Sequence, residues 1–139
     1  MARASHITPF AKQLEYYADI ADDLLKHPVT GDVVRVTNEE AVARSIRHLL
    51  LTDKGEWPFR SNLGSSIRAA LFQPFGPFLV EELTIAIKDT IRDFEPRAQL
   101  AGLDIYNAED SGGIGVNIMY STINDTNIYK LNVILTRAR

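Results

Sequence analysis

The sequence predicts an α+β domain: N-terminal helices, including a long central helix at about 77–94, packed on a C-terminal antiparallel β-meander at about 98–136. Three observations predict it. Apolar residues recur at helical spacing up to Phe94 and at alternate positions after Arg97. Between the two regimes stands Phe94-Glu95-Pro96-Arg97, where proline restricts the residue before it and offers no amide hydrogen, so a helix must stop. Clusters of Gly, Asn and Asp then divide the remainder into three strands.

In chain order, residues 1–18 carry Phe10, Leu14, Tyr16 and Tyr17 without a sustained period and read as an N-terminal arm, leaving residues 19–139 as a single domain. Asp19 to Pro28 reads as a short helix or an irregular strand, and the turn at His27-Pro28-Val29-Thr30-Gly31-Asp32 leads into a strand at Val33–Val36. Thr37-Asn38-Glu39-Glu40 has the spacing of a capping box. The helix it opens reaches about Leu51, with Val42, Ile46, Leu49 and Leu50 on one face and Arg44 and Arg47 pointing away. Gly55 is the expected cap at its end, and Trp57 and Phe59 are expected to pin the following loop to the core, partner contact being the other reading. A short helix from Ser65 or Ser66 to Phe72 turns Ile67, Ala70 and Leu71 inward.

Pro77 suits the first turn of the long helix. Val80, Leu83, Ile87, Ile91 and Phe94 form a stripe, and Phe78, Leu79, Ile85 and Ala86 predict burial on more than one side. After Arg97, Ala98 and Leu100 share one phase and Leu103 and Ile105 the other, which places a β-bulge near Ala101-Gly102. A turn at Glu109–Gly113 precedes the alternation Ile114, Val116, Ile118, Tyr120. A second turn at Asn124–Asn127 precedes Tyr129, Leu131, Val133, Leu135.

The chain of 139 residues is long enough for one core. No apolar run approaches the roughly 20 residues of a membrane span, and no signal-peptide core is visible, so the protein is expected to stay where it is made. With no cysteine, disulfides and thiolate metal sites are excluded. A net charge of -3 lacks the basic excess of a nucleic-acid binder. His6, His27 and His48 sit in no nucleophile or metal motif, and no phosphate-binding glycine loop is present. The paired acids Asp22-Asp23, Glu39-Glu40 and Glu81-Glu82 are adjacent in sequence, whereas glycoside hydrolysis needs carboxylates across a cleft. No catalytic residue, metal site or cofactor is therefore expected. Asn124-Asp125-Thr126 matches a glycosylation sequon but reads as turn chemistry.

Leu50-Leu51-Thr52-x-x-Gly55-Glu56 ends a capped helix and is followed by Gly64; a long helix closes in Phe94-Glu95-Pro96-Arg97; alternating strands follow. With the His27-Pro28-x-Thr30-Gly31-Asp32 turn, this order resembles the small baseplate wedge proteins of contractile-tailed bacteriophages, a GPW-type sheath-initiator family with a relative in type VI secretion baseplates. The resemblance covers roughly residues 19–136, and Trp57-Pro58-Phe59-Arg60 departs from it.

The resemblance implies a structural protein of the virion tail baseplate, assembled in the bacterial host cytoplasm. Glu95, Pro96 and Arg97 would hold the core bundle of larger wedge subunits. The last strand, through Ile128, Lys130, Asn132, Ile134 and Thr136, would accept a strand from the tail sheath protein. Tail tube or hub proteins are further candidates for the arm; neither nucleic acid nor membrane is implied. The residues permit strand addition at this edge, while the plainer alternative is that Lys130, Arg137 and Arg139 guard a solvated edge. A tail-associated peptidoglycan-cleaving enzyme and a free-standing adaptor domain are the competing functions.

Overall fold

The computed structural model describes residues 15–108 and 112–136. Two short strands, β1 (Ala18–Ile20) and β2 (Arg35–Thr37), pair antiparallel and precede helix α1 (Asn38–Leu51). A single-turn helix α2 (Ile67–Ala70) leads to α3 (Pro77–Phe94). Strands β3 (Ala98–Ala108), β4 (Gly113–Thr122) and β5 (Asp125–Thr136) form an antiparallel sheet in that order. The α+β class, the ends of α3 and the meander match the sequence expectation.

Burial follows the two periods. Ile114, Val116, Ile118 and Tyr120 of β4 and Leu131, Val133 and Leu135 of β5 are buried, and their alternate neighbours on β5 are exposed. They meet Val42, Ile46 and Leu50 of α1, Ile67 and Ala70 of α2, and Leu79, Leu83, Ile87 and Ile91 of α3 in one core. Each such side chain contributes roughly 1.5–3 kcal/mol by leaving water. The register shift between Leu100 and Gly102 is the expected bulge.

Several local expectations are corrected. Of the two readings of the segment from Asp19, the irregular strand is the one found: residues 18–20 are a strand, and a bridge between Lys26 and Val33 extends the ribbon. The capping box does not form: Thr37 makes no side-chain cap bond. Thr37 is paired with Ala18, and Asn38, at φ 51, donates its N–H to the Tyr17 carbonyl, so strand pairing overrides the local cap. Thr52, not Gly55, caps the end of α1, in extended backbone. Leu49 is only half-buried, and Arg44 does not point freely away but is largely covered and paired with Asp22 at 2.6 Å. On α3 the buried stripe is Leu79, Leu83, Ile87, Thr90 and Ile91; Phe78 and Ile85 are exposed, so one face is covered rather than several. Trp57 and Phe59 are also exposed and do not pin their loop.

That loop is instead closed at its base. Ser65 donates its N–H to the Thr52 carbonyl and its hydroxyl to the Leu50 carbonyl, and Arg68 pairs with Asp53 at 2.6 Å. Gly64 makes the closure possible: at φ +110, an added Cβ would lie 2.5 Å from the Thr52 carbonyl oxygen. Of the proposed arm, residues 1–14 lie outside the described residues, as do 109–111 of the first hairpin turn. Tyr17 packs against the core.

Candidate functional site

Two features carry the site residues named from sequence: the turn after α3 and the free edge of β5. At the turn, the Glu95 N–H donates to the Ile91 carbonyl, finishing the helix, and the Ala98 N–H donates to the Glu95 carbonyl, closing the turn around Pro96. The Arg97 carbonyl accepts from the Ile123 N–H in the β4–β5 hairpin turn, so the junction is tied to the sheet.

The side chains form a buckle. Glu95 is 1 % exposed. Arg97 donates from Nε to Oε1 at 2.5 Å and from Nη2 to Oε2 at 2.6 Å, a bidentate charge-assisted pair. The hydrogen bond to Glu95 raises the Arg97 pKa above its ordinary value. Its guanidinium carbon lies 5.2 Å from the centre of the Tyr17 ring, a cation–π contact. Tyr17 also accepts from Asn124 Nδ2 at 2.8 Å. Two positions apart across Pro96, Glu95 and Arg97 can face each other or a partner. They face each other, while Pro96 is exposed and the Arg97 side chain stays 36 % exposed. Tyr17 and Ile123 were missed as members of this junction, because only folding brings them to it. The clustered Asn and Asp at 124–127 signalled the hairpin turn but not what it touches.

A cleft of about 270 Å³ opens beside the buckle, lined by Tyr16, Tyr17, Asn38, Glu39, Thr122, Asn124 and Asp125. In that hairpin turn, Asp125 accepts from the Asn127 N–H and from the Tyr129 hydroxyl, which holds the Asp125 carboxyl below the usual range and raises Tyr129. These bonds are the turn chemistry read from the sequon.

At the edge, β5 pairs with β4 without interruption from Tyr129 opposite Tyr120 to Thr136 opposite Gly113. Its other side meets no strand among the described residues. Ile128, Lys130, Asn132, Ile134 and Thr136 are all exposed. Asn132 donates to Asn117 Oδ1 at 2.7 Å and to the Tyr106 hydroxyl at 3.0 Å, bracing the outer face. The opposite edge, β3, is broken by its bulge and carries Asp104, devices that discourage strand addition.

A second cleft, of about 230 Å³, holds carboxylates: Glu82, Asp89 and Asp93. All three come from one helix. Glu82 accepts from Gln73, and Asp89 and Asp93 pair with Arg92. They do not flank a cleft from two sides. No cluster of three metal-ligating side chains occurs among the described residues.

The family model described as "Baseplate wedge protein gp25" matches residues 36–127. A baseplate wedge protein gp25 of Enterobacteria phage T4 is 26% identical over 109 residues, covering 78% of this chain and 82% of that one. A crystal structure from Geobacter sulfurreducens, described as a candidate tail lysozyme, superposes with a TM-score of 0.70 at 23% identity over 76% of this chain and 96% of that one. A chain in the baseplate of the anti-feeding prophage superposes with a TM-score of 0.59 at 21% identity over 88% and 87%. The two superpositions show a shared fold.

Proposed function

Because the chain belongs to the baseplate wedge protein gp25 family and is a structural component of a contractile-tail baseplate, we propose that it joins two kinds of partner: larger wedge subunits at the Glu95–Arg97 junction and tail sheath protein at the β5 edge. The observation that carries the proposal is the β5 edge. From Tyr129 to Thr136 it is regular, it contains neither Pro nor Gly, and Lys130 is its one charged side chain. Such an edge offers a row of unused amides and carbonyls to an incoming strand.

At the junction the roles divide. Glu95 is buried and orients Arg97, using two of its five N–H donors. Pro96 and the outer side of the guanidinium are what a wedge subunit meets. Assembly in the bacterial host cytoplasm and further contacts of the N-terminal segment with tube or hub proteins complete the proposal.

A photo-crosslinking residue at Lys130 tests the edge: crosslinks to the sheath subunit are expected, and crosslinks at Gln99 of β3 instead would move the docking site. Pull-down with wedge subunits tests the junction: Arg97→Lys keeps the charge but loses the fork, and unchanged capture would remove Arg97 from the interface. The second reading, a lysozyme-type enzyme, draws on the description of the Geobacter sulfurreducens structure. A muramidase assay separates the two, since cell-wall release lost on Glu82→Gln or Asp89→Asn would establish the enzyme.

A further inference from the structure

We propose that the β5 edge reads its incoming strand through one large apolar side chain, received by a cleft at the C-terminal end of the strand. The inference rests on the strand-addition reading above and adds what chemistry the added segment must carry.

The cleft holds about 180 Å³ and is lined by Leu50, Leu51, Asp53, Ile67, Arg68, Leu71, Ile134, Leu135 and Thr136. Among the described residues, its sheet lining comes from β5 alone, so it lies against that strand. Its walls come from the end of α1 and from α2, which cover the inner face. Leu51, one of the lining residues, is 54% exposed, although it is a large apolar side chain on an otherwise amphipathic helix.

Strand geometry then determines what enters. Directly opposed residues of neighbouring strands point to the same face, with Cβ atoms about 4.5–5.5 Å apart. Leu135 points to the inner, buried face. A residue opposed to Leu135 on an added strand therefore points inward too, one strand spacing beyond it, toward the cleft lined by Leu51, Ile67 and Leu71 and bounded by the Asp53–Arg68 pair. Residues two before and two after it share that face. Ile134 and Thr136 point outward, so the intervening residues of the added strand face solvent. The partner segment is an extended strand with Leu, Ile, Met or Phe opposite Leu135 and polar residues alternating with it. Backbone bonds supply affinity without sequence preference; the cleft supplies register, since a slip by one residue turns the anchor outward.

The test combines the crosslinker at Lys130 with substitutions at Leu51, using the full chain and the sheath subunit of the same tail. Leu51→Met keeps the wall and is expected to bind as the parent does. Leu51→Asp and Leu51→Gln place a polar group in the lining and are expected to weaken sheath binding about tenfold or more, the scale of losing one buried apolar side chain. Both should melt close to the parent because Leu51 is half exposed. If Lys130 crosslinks and neither polar variant weakens binding, the anchor cleft is wrong while strand addition stands. If Lys130 does not crosslink in the parent, strand addition itself fails, and the cleft with it.

Discussion

Removing the Arg97 guanidinium leaves the Glu95 carboxylate at 1% exposure without its bidentate partner. Stripping one member from a fully buried ion pair costs about 3–5 kcal/mol. Arg97 is itself 36% exposed, so water reaches part of the vacated space, and the cost is discounted to about 2–3 kcal/mol. Loss of the contact over Tyr17 adds roughly 0.5–1 kcal/mol. Arg97→Ala should therefore lose about 2.5–4 kcal/mol, read as a lower urea midpoint at unchanged slope. Replacing both members, as Glu95→Leu with Arg97→Leu, should cost less than the single change, because no orphaned charge remains. A loss under about 0.5 kcal/mol in Arg97→Ala, or a double variant as poor as the sum of its singles, would refute the buckle. The assembly consequence is separate: at permissive temperature the folded fraction of Arg97→Ala should still fail to capture wedge subunits.

Three further outcomes are expected. Burial pushes the Tyr120 pKa up to about 12, and its hydroxyl donates to the Glu39 carbonyl. A raised folded pKa means the stabilisation is complete below the unfolded value of 10.0 and is lost as pH rises through about 12. Stability between pH 9 and 12 should thus fall less steeply for Tyr120→Phe, which at neutral pH loses about 1 kcal/mol from the missing hydrogen bond. Gly64→Ala should cost about 1–3 kcal/mol by thermal melt, since the φ and the approach of the Thr52 carbonyl both oppose a Cβ. Phe59→Ser should change the melting free energy by less than about 0.5 kcal/mol, as its side chain is fully exposed; a larger loss would mean that the loop does pack.

Periodicity carried most of the fold. The shift from 3.6 to 2 at Pro96, the bulge near Gly102 and the inward set on β5 were all legible, because each follows from local backbone geometry and the need to bury one face. The candidate site was legible in outline: the tripeptide and the last strand were named by position. What the two residues of the tripeptide do was not. Their junction also takes in Tyr17 and Ile123, which are far apart in sequence and reach the turn only through folding. The capping box failed for the same kind of reason, since pairing of Thr37 with Ala18 outbid a local bond. Trp57 and Phe59 failed differently: apolar character predicts burial only where a surface meets the side chain, and both side chains stay exposed.

By itself, then, the sequence determined where helix gives way to strand and which face of each element is apolar, as local sterics and side-chain period settle both. Only the tertiary structure decided that Glu95 lies beneath Arg97 and that a cleft opens beside Leu135. These depend on which distant segments arrive together, and no local period encodes that.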